Sequence, residues 1–307
     1  MIESLGLTKR LGGRNVVEDV TFTCAPGTVT GFLGPNGAGK TTTMRMLCGL
    51  SAPDAGRATI LNTNYRELPN PGRRVGILLD ASAQHDGRRG EEALTLSALT
   101  MGQDPKVVPE LLDRVGLEKR AARQRVKQYS LGMRQRLGIA NALIGEPEVL
   151  ILDEPANGLD PEGMRWMRTL LRDFADRGGT VLLSSHLLHE VEAVADQLVI
   201  IGKGRIVAAG TREELLAGAG TLVRAADDAA ALDTALTSAQ LDHRAHPDGG
   251  FIVDAEPDQV GRAALQGQVA LAHLGPSESA GLEQLFFDLT SGHEQAVNPD
   301  HALEATR

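Results

Sequence analysis

Gly34, Gly37 and Gly39 stand just before Lys40, Thr41 and Thr42 in the stretch LGPNGAGKTTTMRMLCGL, Leu33 to Leu50. Glycines let a backbone loop bend around a bulky anion with successive N–H groups turned inward. The spacing Gly34, four residues, Gly39, Lys40, Thr41 is that of a phosphate-binding loop. The amides following Pro35, through Asn36, Gly37, Ala38 and Gly39 to Thr41, are expected to hold β- and γ-phosphates. Lys40 would neutralise charge, Thr41 would offer its hydroxyl to magnesium, and Thr42 would lie beside the α-phosphate. A dinucleotide fingerprint needs glycine three residues after Gly39, where this chain has Thr42.

A second group of chemically capable residues closes the apolar run EVLILDEP, in which Asp153 and Glu154 follow Val149 to Leu152. Two acids at the carboxyl end of a buried strand sit where ligands of open α/β sheets bind. There Asp153 would hold magnesium through water, and Glu154 would take a proton from an attacking water.

Residues 1–217 carry short apolar blocks separated by helical patterns: VVEDVTFTC, TVTGFLG, EVLILDE and TVLLSS. This rhythm predicts an α/β sheet with crossovers. QLVIIGKGRIVAAG reads as a hairpin about Gly202 to Gly204, and Thr211 with Glu214 as a capping box opening a short helix. Beyond a break at Gly218 and Gly220, the order strand, helix, two strands, helix, strand predicts a small α+β domain over 218–290. That span ends in an apolar helical stripe of Leu282, Leu285, Phe286 and Leu289. Residues 291–307 read as a loose tail.

The chain has 307 residues, 42% hydrophobic and 23% charged, which suits about two folded domains. A net charge of −9 provides no basic footprint, so no nucleic-acid partner is expected. No apolar run approaches the roughly 18 residues of a spanning helix, and MIESLGLTKR lacks a secretory h-region. The chain is therefore expected to stay out of the bilayer itself. Cys24 and Cys48 read as buried small apolar residues of a reducing compartment, without chemistry. His243 and His246 read as solvated surface.

With the phosphate loop and acidic strand in place, YSLGMRQRLGIANAL, NGLD and SSHLLHEV complete a pattern over about 210 residues that resembles the ATP-binding subunits of ABC transporters. The resemblance implies an ABC-type P-loop nucleotide-binding domain over 1–217, with a helical subdomain at about 81–145, binding ATP and Mg2+. Residues 129–136 match the signature segment, 157–160 the D-loop and His186 the switch histidine. Ser130 reads as the N-cap of the helix after it. With Gly132 and Met133 it would form an anion site facing the ATP of a second copy, so that two chains sandwich two nucleotides. Asp160 would couple the two sites, and His186 would meet the γ-phosphate and orient Glu154 or the water.

Three positions depart from the family pattern. Leu11 stands where an aromatic residue usually stacks on adenine, leaving Leu11 and Val17 to cover the base. Asp80, ending RRVGILLD, occupies the place of the family's Q-loop glutamine and would assist magnesium and turnover, although Gln84 lies four residues on. Leu131 replaces the first signature glycine. The last two features, with the tail GLEQLFFDLT, resemble the type-2 drug and antibiotic exporters.

The resemblance thus implies an ATPase on the cytoplasmic face of the membrane, driving separate transmembrane permease subunits to export a drug, antibiotic or other amphiphilic compound. An importer subunit, or a soluble ATPase acting on ribosomes or DNA, is the alternative.

Overall fold

The computed structural model describes residues 1–211, 214–215, 220–246 and 249–276. Contacts divide the chain into two units, Met1–Ala209 and the residues from Gly210 onward. The division falls a few residues before the boundary expected at 217.

The first unit begins with β1 (Ile2–Leu11), β2 (Arg14–Cys24), β3 (Val29–Leu33), α1 (Lys40–Leu47), β4 (Ala55–Ile60) and β5 (Val75–Leu78). Four helices follow: α2 (Gly90–Thr100), α3 (Val108–Arg114), α4 (Lys119–Ala122) and α5 (Leu131–Leu143). The unit closes with β6 (Val149–Leu152), α6 (Pro161–Asp176), β7 (Thr180–Ser185), α7 (Leu188–Glu192), β8 (Gln197–Gly202) and β9 (Arg205–Gly210).

A six-stranded sheet, ordered β5-β6-β7-β3-β8-β9, carries the site. Its inner pairs β5/β6, β6/β7, β7/β3 and β3/β8 are parallel. Strands β3, β6 and β7 are buried along their whole length. Burial on both faces explains why β6 is a continuous apolar run and why β3 and β7 show no alternation of apolar and charged residues. The block VVEDVTFTC does not join this sheet: it forms β2, antiparallel to β1 in a separate sheet ordered β2-β1-β4. Its alternating burial pattern is that of a strand with one face covered. The expected hairpin forms between β8 and β9, with Lys203 and Gly204 both at positive φ, as a two-residue type I′ turn requires.

Helix α6 shows how local sequence sets an element. Asp160 caps it, Pro161 occupies its first turn, and Gly163, Met167, Leu170, Leu171 and Phe174 make its buried stripe.

The second unit has β10 (Thr221–Ala225), α8 (Ala229–Ser238), β11 (His243–Ala245), β12 (Phe251–Val253), α9 (Pro257–Gln266) and β13 (Leu271–Pro276). Its antiparallel sheet is ordered β11-β12-β10-β13. Val223 and Val253 pack with Leu232, Leu236 and Val260 of the helices in its core. The element order is the one expected. The Thr211 capping box forms, each residue's side chain accepting the other's amide, but the helix beyond Leu215, the stripe from Leu282 to Leu289 and the tail from 291 lie outside the described residues.

The two histidines read as solvated are not. His246 is buried. His243 bonds Asp233 through Nε2 at 2.8 Å and packs edge-on to Phe251. Their strand and turn positions follow from pairing with β12, which residue type alone does not reveal.

Candidate functional site

Sheet register brings the chemically capable residues to one edge. Leu33 of β3 pairs with Ser185 of β7, and Leu152 of β6 pairs with Leu183, so the phosphate loop, the acids and the residues after β7 leave the sheet side by side. Gly39 has φ 108°, and a Cβ there would lie 2.6 Å from the Val16 carbonyl. A Cβ on Gly34 would lie 2.4 Å from the Ile201 carbonyl. Close contact thus demands glycine at both positions, and the backbone conformation demands it at Gly39 as well. Pro35, Asn36 and Gly37 are exposed at the loop's crest, while Ala38 is buried and its amide bonds the Pro35 carbonyl at 3.1 Å. Lys40, Thr41 and Thr42 form the first turn of α1, where amides have no acceptor within the helix.

Lys40 is buried, its Nζ donating to Gly34 O at 2.6 Å and lying 3.3 Å from Glu154 Oε1. Thr41 Oγ1 donates to Asp153 Oδ2 at 2.5 Å. The other Asp153 oxygen accepts from Ser184 Oγ, which itself accepts the Glu154 amide at 2.9 Å. His186 Nδ1 lies 2.8 Å from Glu154 Oε2. Lys40, Thr41, Asp153, Glu154 and His186 therefore form one linked cluster. Glu154 has φ 48°, a strained conformation for a glutamate. Its N–H is held by Ser184, and its carbonyl accepts from Gln135 Nε2 at 3.1 Å. Sequence reading missed Ser184 and Gln135. A polar residue next to the end of an apolar strand, and a glutamine on the buried face of α5, were the signals present.

The cluster is chemically suited to a magnesium triphosphate. The cradle is shaped by two obligatory glycines and holds a buried ammonium, and a hydroxyl and a carboxylate supply the hard oxygens that magnesium prefers. Ser130 caps α5, its Oγ accepting the Met133 amide at 3.2 Å. Gly132 admits the Gly158 carbonyl, to which a Cβ would come within 2.6 Å, so the signature turn packs on segment 157–160. Asp160 accepts from Gly163 N at 2.8 Å.

Two expected residues stand elsewhere. Val17 is fully buried, and its side chain backs Gly39. It has no surface to offer a base, whereas Val16 is half-buried and Leu11 is exposed at the end of β1. Asp80 caps the short turn Ala81–Ala83, accepting from Ser82 N at 2.7 Å and Ser82 Oγ at 2.6 Å. These two bonds hold its carboxyl below the usual carboxylate range, and it makes no hydrogen bond to Thr41 or Asp153 among the described residues. Local turn chemistry, available to any aspartate two residues before a serine, claims the side chain. Burial pushes both Cys24 and Cys48 thiols up to about 12, in keeping with inert packing.

A profile of the ABC transporter family matches residues 17–157. Nod factor export ATP-binding protein I of Paraburkholderia xenovorans is 35% identical over 310 residues, 96% of this chain and 98% of its own. Bacitracin transport ATP-binding protein BcrA of Bacillus licheniformis is 40% identical over 210 residues, 67% of this chain and 68% of its own. An ATP-binding subunit of an ABC transporter superposes with TM-score 0.65 at 30% identity, covering 70% of this chain and 91% of that one. The dimeric bacterial ABC transporter cassette MJ0796 has TM-score 0.63 at 21% identity, covering 69% and 98%, a likeness of fold. With one relative aligned almost from end to end and the cassette fold shared, this chain belongs to the ATP-binding subunits of ABC transporters.

Proposed function

We propose that the chain hydrolyses ATP to power separate transmembrane permease subunits that export a drug, antibiotic or other amphiphilic compound. It acts on the cytoplasmic face of the membrane, as a dimer with two ATP molecules between facing copies. The observation that carries this reading is the linked cluster from Lys40 to His186 at the edge of the sheet.

In this reading Lys40 and the first-turn amides of α1 bind phosphate oxygens. Thr41 and Asp153 would hold Mg2+, which would supply positive charge to offset that of the phosphates. Glu154 accepts the proton of the attacking water, and His186, 2.8 Å away, keeps that carboxylate oriented. Ser130 and Leu131 are exposed, and Ser130 makes no hydrogen bond to the Lys40 cluster of its own chain among the described residues. This supports an anion site used by a second copy.

No described helix is long and apolar enough to cross a membrane, which fits a motor acting through other chains. The names of two relatives, a bacitracin transport and a Nod factor export ATP-binding protein, support transport, the second supports export, and they differ in cargo. Cargo choice is accordingly assigned to the permease. The test is a pull-down from native membranes, followed by transport into inside-out vesicles containing the captured permease. ATP-dependent uptake of an amphiphile that Glu154→Gln abolishes is expected. Capture of no multispanning protein, or uptake indifferent to the substitution, would overturn the proposal.

A further inference from the structure

We propose that Gln135 is a positioning residue for hydrolysis, transmitting the engagement of the α5 N-terminus to the backbone of Glu154. The inference rests on the sandwich reading above. Gln135 lies in the second turn of α5, five residues after the Ser130 cap, and is almost wholly buried at 4% exposure. Its Nε2 donates to the Glu154 carbonyl, while its Oε1 is buried without a hydrogen-bond partner among the described residues. A polar side chain buried for packing alone would be replaced by an apolar one at a gain, because an unpaired buried acceptor is costly. Among the described residues its side chain bonds only the Glu154 carbonyl, and Glu154 has a strained backbone.

That strain makes the contact consequential. At φ 48°, Glu154 keeps its conformation only while its surroundings hold it. Ser184 holds the amide and Gln135 the carbonyl. The Ser184 clamp comes from β7, which is buried along its length and paired on both sides in the sheet. The Gln135 clamp comes from the helix whose N-terminus would receive the partner's phosphate. A small shift of α5 on engaging that phosphate therefore reaches the peptide bearing the general base, and through it the carboxylate beside His186 and Lys40. Phosphate binding by Lys40 and the α1 amides does not depend on this link.

The experiment compares Gln135→Met and Gln135→Glu, both close to the native size and both lacking the amide donor, in the full chain. Steady-state ATPase, mant-ATP affinity and melting temperature are measured for each. ATP-dependent dimerisation is measured by light scattering after adding Glu154→Gln. We expect kcat to fall about tenfold to a hundredfold, with KM, nucleotide affinity and dimerisation within about twofold of the respective parents, and with melting not lowered in Gln135→Met, which buries no unpaired acceptor. A kcat within twofold of the parent in both variants overturns the inference, as does a fall accompanied by equal loss of affinity or, in Gln135→Met, of stability. Failure of both variants to fold would make Gln135 a packing residue and overturn it as well. Failure of the Glu154→Gln parent to dimerise with ATP would sink the sandwich reading instead, and is read separately.

Discussion

Replacing Glu154 by glutamine should both stop turnover and tighten nucleotide binding. The ammonium that would neutralise a phosphate, Lys40, is already paired with Glu154 at 3.3 Å, with side-chain exposures of 6% and 19%. At an effective dielectric near 20, Coulomb's law makes that gross attraction about 5 kcal/mol. Desolvation of both ions offsets much of it, and the Gly34 carbonyl solvates the ammonium in either case, leaving a net pair energy of about 1–3 kcal/mol. A triphosphate must displace this pairing and also approach the carboxylate. Glu154→Gln removes both costs, so mant-ATP affinity in magnesium should tighten about tenfold, corresponding to about 1.4 kcal/mol. Loss of the base should lower kcat by about a hundredfold or more. Because the pair is shielded from solvent, the affinity gain should persist at raised ionic strength. An affinity equal to or weaker than that of the unmodified chain would refute the competition between carboxylate and phosphate. Unchanged turnover would refute Glu154 as the base.

Lys40→Ala should weaken ATP binding by about 2 kcal/mol, or about thirtyfold; unchanged affinity in the same titration would discredit the cradle. Gly39→Ala places a methyl 2.6 Å from the Val16 carbonyl at φ 108°, and should cost about 1–3 kcal/mol in denaturant unfolding as well as ATP affinity. Wild-type stability and binding would show that the loop adapts freely. In the second unit, the Leu241 carbonyl and then Asp233 raise the His243 pKa above its ordinary 6.5. Its charged form is therefore favoured by folding, and the added stability is complete below about 6.5 and lost as pH rises through the folded value. Hydrogen exchange corrected for intrinsic rate should show protection of β11 and β12 falling across that window, and Asp233→Asn should flatten the slope; a slope of opposite sign would refute it.

How far the chain could be read without coordinates depended on the distance over which each property is encoded. The phosphate loop, the Ser130 and Thr211 caps and the Lys203-Gly204 turn each depend on residues no more than about seven apart, and such spacings carry their own geometry. The continuous apolar run of β6 likewise announced a strand buried on both faces. Tertiary structure decided matters that turn on register between distant segments. Pairing of Leu152 with Leu183 sets Ser184 against Asp153, and the packing of α5 on the site sets Gln135 against Glu154 across nineteen residues. The placement of VVEDVTFTC in a second sheet, which turns Val17 inward, belongs to the same class. A one-residue change of register would reverse which side chains face the core, and residue types leave that choice open until the whole sheet forms.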